Sequence, residues 1–510
     1  MRPGEYSILN YTGPVEVTGP PRDPSRPLGG RVLKLAAAAC VGLLAAAAAV
    51  PLGNLPLKPL ALVLFILGVA PLAAFTRQPK PMLLIAWILA QTYFRVIFPI
   101  ESLAGFQGFY VTFADFVFVL LLGYWLVEAA VTGRSRPYGP PVVRFFLPLA
   151  VVCFVSALLA QRTDWAMYEV VRVAKVPLIL FYCRYNLGPK EWWVCVGALA
   201  LGVVAQTGLG ILQVARIIGN YELEAYEPNL RANGSMGHAS MFAGYMLLLS
   251  PLFLALALSL RPKFLKMLAA LVGLTGFVGV AFTLSRIPWV LTAAECVLLA
   301  IGFLALRKVR LKRVIGTGAV AVVALGLMMI PLLNRIQSRF TTDLNTAISW
   351  RLKMNEIAID LFRANSFFGI GLANVPLYLR SYDMEFSDSL DQAMAGVLKR
   401  GNEEIPVRGF HWVWVPHNIY LLLLAETGLL GLAAFLLGIF AAFRTAFRNL
   451  RVPNRVVQGA SLGLLVGICG VLGQMITDWA LWLDPVLYTF TLSVALLQNA
   501  PAAILGSGAE

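Results

Sequence analysis

Long runs of apolar residues, separated by short polar connections, occupy most of the chain. Crossing a bilayer takes about 20 apolar residues, and many of these runs are that long. The pattern therefore predicts about fourteen transmembrane helices. The predicted spans are 33–51, 58–75, 82–100, 113–131, 144–160, 168–186, 192–213, 237–258, 266–284, 287–306, 314–333, 417–443, 456–477 and 481–499.

Composition supports an integral membrane protein and excludes three other classes. Apolar residues make up 59% of the 510 positions, charged residues only 13%, and the mean hydropathy is +0.76. A soluble fold must cover its surface with more charge than this. A soluble enzyme, a secreted disulfide scaffold and a disordered protein are therefore excluded. The six cysteines lie inside apolar runs without any ligand spacing, so we interpret them as small core residues.

Basic residues recur in every second connection, and the net charge is 41 − 26 = +15. Their placement matters more than their sum, because basic loops stay on the cytoplasmic side of a membrane. This rule puts both termini in the cytoplasm and predicts an even number of helices. The predicted organisation is a cytoplasmic tail at 1–31, a transmembrane bundle at 32–333, a large periplasmic loop at 334–416, C-terminal transmembrane helices at 417–500 and a cytoplasmic tail at 501–510.

The loop at 334–416 is far longer than a connection between two helices requires, so we expect it to be folded and functional. Within it Trp350, Met354, Ile357 and Leu361 recur at 4-3-4 spacing, with polar residues between them. That periodicity predicts an amphipathic helix that lies on the membrane surface or on the bundle. The tyrosines and tryptophans of this loop are candidates for stacking on sugars: Tyr378, Tyr382, Trp412 and Trp414.

The chain contains three histidines, and all three fall on the predicted outward side. His417 follows Pro416 at the start of a predicted helix, which is either a capping position or a place for a general base near neutral pH. His238 precedes another span. None of the three has the spacing of a metal site, and the chain has no phosphate-binding glycine loop for a nucleotide. The carboxylates near 383–391 are interpreted as a solvated acidic patch.

Cations form a second candidate group. Arg231, Arg286 and Arg351 lie at outward ends of helices, where an arginine often only extends its charge to the interface. Arg172 and Lys175 lie inside an apolar run, where charges usually face a polar cavity. Taken together, these five cations would neutralise a phosphate or pyrophosphate without a metal.

In ordered motifs the chain resembles the O-antigen ligase and O-antigen polymerase superfamily of bacterial envelope enzymes. The motifs are Arg231 with Gly234 and Gly237, the segments 283–286, 349–351 and 367–374, and the pair of segments 417–420 and 426–431. Ten residues separate His417 from Gly428, which is similar to the His-x10-Gly element of the ligases. The resemblance covers roughly residues 165–480.

The resemblance implies an all-α polytopic membrane protein of the GT-C type, with about 12–14 transmembrane helices. It implies metal-independent, inverting transfer of a glycan from undecaprenyl pyrophosphate, without a cofactor, at the periplasmic face of the bacterial inner membrane. The acceptor would be lipid A–core or a second lipid-linked glycan, as in lipopolysaccharide or exopolysaccharide synthesis, and nucleic acid would not be a partner. His417 would be the catalytic base, with Arg231 and Arg351 on the donor pyrophosphate. Substrate binding would also involve Arg286, Arg172, Lys175, His238 and Asn418.

A flippase or transporter of a lipid-linked oligosaccharide is the alternative, since many helices and intramembrane cations suit it too. Transporters usually show repeat symmetry with broken helices in matching halves. The sequence shows neither feature, and a transporter has no need of the long loop at 334–416. The sequence therefore favours the enzyme, but it does not separate a ligase from a polymerase.

Overall fold

The computed structural model describes residues 79–92, 95–98, 109–133, 137–218, 231–306, 344–378, 397–400, 403–406 and 415–506. The predicted tail at 1–31 and the predicted spans 33–51, 58–75 and 314–333 lie outside the described residues. So do residues 334–343, 379–396, 401–402 and 407–414 of the long loop.

The described chain is a bundle of helices with two small hairpins. The helices are α1 (Pro79–Ala90), α2 (Phe113–Thr132), α3 (Val143–Leu158), α4 (Thr163–Asn186), α5 (Pro189–Val214), α6 (Ala239–Ser259), α7 (Lys263–Phe282), α8 (Arg286–Ala305), α9 (Leu344–Ala364), α10 (Ile419–Leu450), α11 (Arg455–Gln474) and α12 (Asp484–Gly506), with a short helical turn at Val375–Tyr378 and a 3₁₀ turn at Ala480–Trp482. The strands β1 (Arg95–Phe98) and β2 (Phe109–Thr112) pair antiparallel, as do β3 (Val397–Arg400) and β4 (Glu403–Pro406).

Among the described residues, eight helices are long and apolar enough to cross a membrane. They are α2, α5, α6, α7, α8, α10, α11 and α12. In lipid a spanning segment must satisfy its backbone groups internally, which a helix does. The prediction of an all-α polytopic membrane protein is therefore confirmed, and the four-residue strands do not change that class.

Local sequence explains where several helices begin. Thr112 and Asp115 form a capping box at α2, in which Asp115 Oδ2 accepts the Thr112 N–H at 2.8 Å. Asn454 caps α11 by accepting the N–H groups of Val456 and Val457. Side-chain acceptors at these positions satisfy amides that have no partner inside the helix. These caps locate the helix ends more exactly than hydropathy does.

The centre of the bundle is formed by α6, α11 and α12, which are buried along most of their length. Helices α6 and α11 pack along each other closely enough that a Cβ on Gly467 would overlap the backbone of Leu248. Small residues permit this approach, which strengthens dispersion contacts where lipid provides no hydrophobic driving force between helices. Helices α2 and α8 lie at the periphery.

Three predicted boundaries are wrong. The span 82–100 ends as a helix at Ala90, and its last residues enter the β1–β2 hairpin. Helix α12 continues through Pro501 to Gly506, beyond the predicted end at 500. Helix α10 extends to Leu450 and contains a break at Gly428. Hydropathy depends only on the composition of a segment. It therefore does not predict strand pairing or helix kinks that contacts with other segments cause.

The ends of several helices meet on one face of the bundle, which we call the site face. Gln474, at the end of α11, donates to the Ser240 carbonyl at the start of α6. The Ile419 amide, at the start of α10, donates to the Met475 carbonyl just after α11. All these ends were predicted to lie on the outward side, and that orientation stays a prediction.

Candidate functional site

Two glutamines of α5 hold the glycine-containing loop at 231–238. Gln213 donates to Asn233 Oδ1 and to the Gly234 carbonyl, both at 2.7 Å, and accepts the amides of both residues. Gln206 bridges Ser235 and Thr92 in the same way. Because buried amide side chains are paired on both their donor and acceptor sides, the loop is rigid before any ligand arrives.

Arg231 begins this loop and reaches the turn between α7 and α8. Its Nε donates to the Thr283 carbonyl at 2.9 Å, and its guanidinium also donates to Ser285 Oγ. The neighbouring Ala232 amide donates to the Phe282 carbonyl. The structure thus brings two of the sequence motifs, at 231–237 and 283–286, into direct contact. Arg286, the first residue of α8, lies beside this contact and is half-buried.

His238 is the cap of α6, and its Nδ1 accepts the Ser240 amide at 3.1 Å. A ring nitrogen used as an acceptor in this way is not available as a base. The structure therefore gives His238 a structural role through this atom, and its predicted role in substrate binding stays a prediction.

His417 lies just before α10, half-buried, with Nδ1 3.1 Å from the Val415 carbonyl oxygen. A carbonyl only accepts, so Nδ1 carries the proton of this hydrogen bond and Nε2 keeps its lone pair. Burial lowers the pKa of His417 below its ordinary value, and the charge of Arg351 lowers it further, while Asp478 and the Val415 carbonyl act in the opposite direction. The balance favours a neutral imidazole with a basic Nε2 at neutral pH.

Asn418, beside it, is the cap of α10, and its Oδ1 accepts the amides of Tyr420 and Leu421. The Ile419 amide donates to the carbonyls of Met475 and Asp478. These bonds tie the start of α10 to the end of α11, which fixes the position of His417. The capping role accounts for the oxygen of Asn418, and its predicted contact with substrate stays a prediction.

Arg351 lies on α9, whose amphipathic pattern is the one predicted from the sequence. Met354, Ile357 and Leu361 are buried against α10, which confirms that the helix lies on the bundle. Arg351 itself is exposed, and its charge acts on His417. Two of the three residues predicted as catalytic therefore interact electrostatically, and their catalytic roles stay predictions. The side chain of Trp350 lies outside the described residues.

Helix α10 is broken at Gly428, where the backbone adopts φ 66° and ψ −168°. The segment 366–371, which follows α9, fills the break. The amides of Ile370 and Gly371 donate to the carbonyls of Ala425 and Glu426, and the amides of Leu429 and Leu430 donate to the carbonyls of Ser366 and Phe367. The peptide groups that the break frees are thus satisfied by this segment, as an apolar environment requires.

The break explains the glycine of the His-x10-Gly element. A positive φ is strained for any residue with a Cβ, and a Cβ on Gly428 would also overlap the Phe367 backbone. Gly369, on the other side, has φ 69° and no room for a Cβ against Glu426. The motifs at 367–374 and 426–431 are therefore the two sides of one backbone contact.

Arg172 and Lys175 are each paired with a carboxylate. Arg172 forms an ion pair with Glu169, one helical turn away on α4, and both side chains are at most 4% exposed. Lys175 Nζ lies 2.8 Å from Asp115 Oδ1 and donates to Tyr488 Oη at 2.9 Å. Since both charges are compensated within the protein, these contacts favour a structural role, and binding of substrate phosphate stays a prediction.

Sequence reasoning missed two acidic residues near the predicted site. Asp478 lies between α11 and α12, and its Oδ1 accepts the amides of Trp479 and Ala480. Glu426, on α10 one turn from the break, is 4% exposed. Neither residue lies in a sequence pattern that predicts a role for its side chain, although Glu426 is part of the motif at 426–431. Of the predicted stacking residues, Tyr378 is described and half-buried, while Tyr382, Trp412 and Trp414 lie outside the described residues.

The site face thus combines a neutral imidazole with exposed or half-buried guanidinium groups at the ends of apolar helices. Such an arrangement suits abstraction of a hydroxyl proton beside a polyanionic leaving group. In the described part of the chain, no three His, Cys, Asp or Glu side chains come together as metal ligands. Metal independence itself stays a prediction.

Comparison with known families gives one match. Residues 268–436 match a family model described as O-antigen ligase, which confirms the resemblance drawn from the sequence. The matched region contains Arg286, Arg351, His417 and the break at Gly428, and it begins after Arg231. A search of curated proteins gives no match.

Proposed function

We propose that this member of the O-antigen ligase superfamily transfers a glycan from undecaprenyl pyrophosphate to an acceptor sugar hydroxyl, with His417 as the base. The observation that carries the proposal is the state of His417. Its Nδ1 donates to the Val415 carbonyl, its Nε2 is basic, and the charge of Arg351 acts on it. Glycan transfer in general agrees with the family match.

In the proposed reaction His417 Nε2 takes the proton of the acceptor hydroxyl. The acceptor oxygen then forms a bond to the anomeric carbon, and the bond from that carbon to the pyrophosphate oxygen breaks. The pyrophosphate leaves with the bonding electron pair. A single displacement of this kind inverts the anomeric configuration and passes through an oxocarbenium-like transition state.

Arg351 and Arg231 would stabilise the charge that develops on the departing pyrophosphate, with Arg286 as an additional contact. Arginine suits this task because it stays charged and binds phosphate oxygens bidentately. Arg231 is already oriented by its bonds to Thr283 and Ser285, so little reorganisation is needed when the donor binds. The apolar helices around the site face would hold the polyprenyl tail in the membrane.

The break in α10 is a feature that transporters share, so it bears on the alternative function. In transporters the ends of broken helices hold ions or substrates. Here the carbonyls of Ala425 and Glu426 and the amides of Leu429 and Leu430 are occupied by the segment 366–371. The break therefore gives no support to a transport site, and we retain the enzyme.

The test is transfer by purified protein in detergent, with a synthetic undecaprenyl-pyrophosphate oligosaccharide as donor and EDTA present. Lipid A–core and a second lipid-linked glycan are offered separately, so the acceptor that is used separates a ligase from a polymerase. We expect His417→Ala to abolish transfer and the wild type to tolerate EDTA. Movement of the lipid across liposomes without transfer by folded wild type would contradict the proposal and favour the flippase.

A further inference from the structure

We propose that Glu426 is a positioning residue, which holds Arg351 level with His417 by anchoring the segment 366–375 to the break in α10. The inference rests on the proposed function, in which His417 is the base and Arg351 binds pyrophosphate. Glu426 itself lies inside the bundle and is nearly fully buried, so its influence on the site must pass through the segment that it holds.

Glu426 binds the segment with both its side chain and its backbone. Its carboxylate accepts the amides of Ala373 and Val375. Its peptide carbonyl accepts the Gly371 amide at 3.0 Å and the Ser156 hydroxyl at 2.7 Å. Hydrogen bonds are stronger where water is excluded, as it is around this buried side chain. A single residue thus binds the returning chain at Gly371, Ala373 and Val375.

The anchored segment continues directly from α9, so the anchor fixes the position of α9 along the axis of α10. The Ser366 carbonyl accepts the Leu429 amide at the lower end, and the charge of Arg351 acts on His417 at the upper end. Arg351 and Ser366 are 15 residues apart, or about 22 Å along a helix, and His417 and Leu429 are 12 apart, or about 18 Å. Helices α9 and α10 therefore run side by side in the same direction over nearly equal lengths.

Between these two ends α9 contacts α10 mainly through apolar side chains such as Met354, Ile357 and Leu361. Apolar contact is non-directional and does not by itself fix how far one helix has slid along another. A slip of one turn would move a side chain by about 5.4 Å, enough to separate Arg351 from His417. The hydrogen bonds at the break prevent that slip, and Glu426 provides two of them from its side chain.

The test is direct titration of His417 by NMR in protein labelled on its histidines, of which the chain has only three. The His417 signal is assigned by its absence in His417→Gln. The groups that act on this imidazole in the described structure are Arg351, which lowers its pKa, and Asp478, which raises it. Removing Arg351 or displacing it must therefore shift the His417 pKa upward. Looser packing around His417 would also raise this pKa, because burial is the main cause that lowers it, so the double variant is needed: two independent causes add, whereas a shift that passes through Arg351 does not.

We expect Glu426→Leu to raise the His417 pKa as Arg351→Gln does, and the double variant to raise it no further. Glu426→Gln, which keeps the shape and one acceptor oxygen, is expected to give a smaller shift in the same direction. A His417 pKa equal to that of the wild type in either folded Glu426 variant would overturn the proposal. Glu295→Gln is the matched control, because Glu295 is equally buried in α8 and packs against Gly470 of α11.

Kinetics provide a second measurement in the same variants. Glu426→Leu is expected to raise the KM for the donor at least tenfold and to leave the KM for the acceptor unchanged, while Glu295→Gln changes neither. Equal loss of activity in both variants would contradict a positioning role. The titration needs no substrate, so a wild type without transfer activity would overturn the proposed function, while the effect of Glu426 on the His417 pKa would still be measured.

Discussion

Gly428 and Phe367 meet backbone to backbone inside the apolar bundle, 61 positions apart in the sequence. The Leu430 amide, just beyond Gly428, donates to the Phe367 carbonyl at 3.3 Å. A spanning helix and the segment that follows α9 thus share one hydrogen-bonded junction. Through it the helix that carries Arg351 is joined to the helix that follows His417.

Substitution of Gly428 by alanine should destabilise this junction. The added Cβ would occupy a strained left-handed backbone and would overlap Phe367. We expect a loss of about 2 kcal/mol or more in the free energy of unfolding, from backbone strain alone of about 1–3 kcal/mol. Thermal unfolding in detergent measures it, and transfer activity should fall with it.

The control for that substitution is Gly197→Ala in α5. No atom lies within 4 Å of the position that its Cβ would take, and its backbone is helical. We expect unchanged or slightly raised stability, because alanine is favoured over glycine in a helix by up to about 1 kcal/mol. Equal melting temperatures for the two variants would show that the junction does not constrain the fold.

The rate of transfer should depend on pH through His417. A base must be neutral, so the rate falls as the pH drops through the pKa of His417, which burial and Arg351 hold below 6.5. Asp478→Asn should move this acid limb to still lower pH, because it removes the negative charge that favours the imidazolium. The asparagine keeps an oxygen for the amides of Trp479 and Ala480. The measurement is kcat against pH, and an acid limb unaffected by Asp478→Asn would argue against His417 as the titrating group.

Arg231→Lys should weaken donor binding without unfolding the protein. Lysine keeps the charge but lacks the forked donors that bind Thr283 and Ser285 together. A guanidinium can bind a phosphate with two parallel hydrogen bonds, and one bond from a charged group contributes about 1.5–3 kcal/mol, so we expect the donor KM to rise by about 10–100-fold. Arg363→Lys is the matched control, since Arg363 forms only an exposed pair with Asp360. Similar kinetics for the two variants would remove Arg231 from the proposed site.

Arg172→Gln should act on stability rather than on substrate binding. Removing one partner of a buried ion pair leaves Glu169 uncompensated, which costs about 3–5 kcal/mol. Arg363→Gln, at an exposed pair, should cost no more than about 1 kcal/mol. Thermal unfolding and donor KM are measured together for both. A raised KM with an unchanged melting temperature in Arg172→Gln would instead support the role in substrate binding that the resemblance implies.

The sequence determined most of the helices because helix formation in a membrane depends on local chemistry. A run of about 20 apolar residues must satisfy its own peptide groups in lipid, and only a helix does so within one segment. The amphipathic pattern of Met354, Ile357 and Leu361 likewise predicted a helix with one buried face. The ordered motifs indicated a resemblance to the O-antigen ligases, and the match at 268–436 agrees with it.

One ion pair that was not predicted could have been predicted from the sequence. Glu169 and Arg172 are three residues apart, which places them on one face of a helix, so their pairing was available from spacing alone. Arg172 resembles a free cation only when the basic residues are considered without the acidic residues one turn away.

Only the tertiary structure decided the rest. A glycine costs a helix about 1 kcal/mol and does not stop it, so Gly428 by itself predicts no break. The break exists because the segment 366–371 supplies partners for the peptide groups that it frees. In the same way the charge of Asp478 acts on His417, and Asp115 forms an ion pair with Lys175. The residues of each pair are too far apart in the sequence for a local pattern to predict the interaction. Local chemistry fixed which segments are helices, whereas packing between distant segments decided which charges meet.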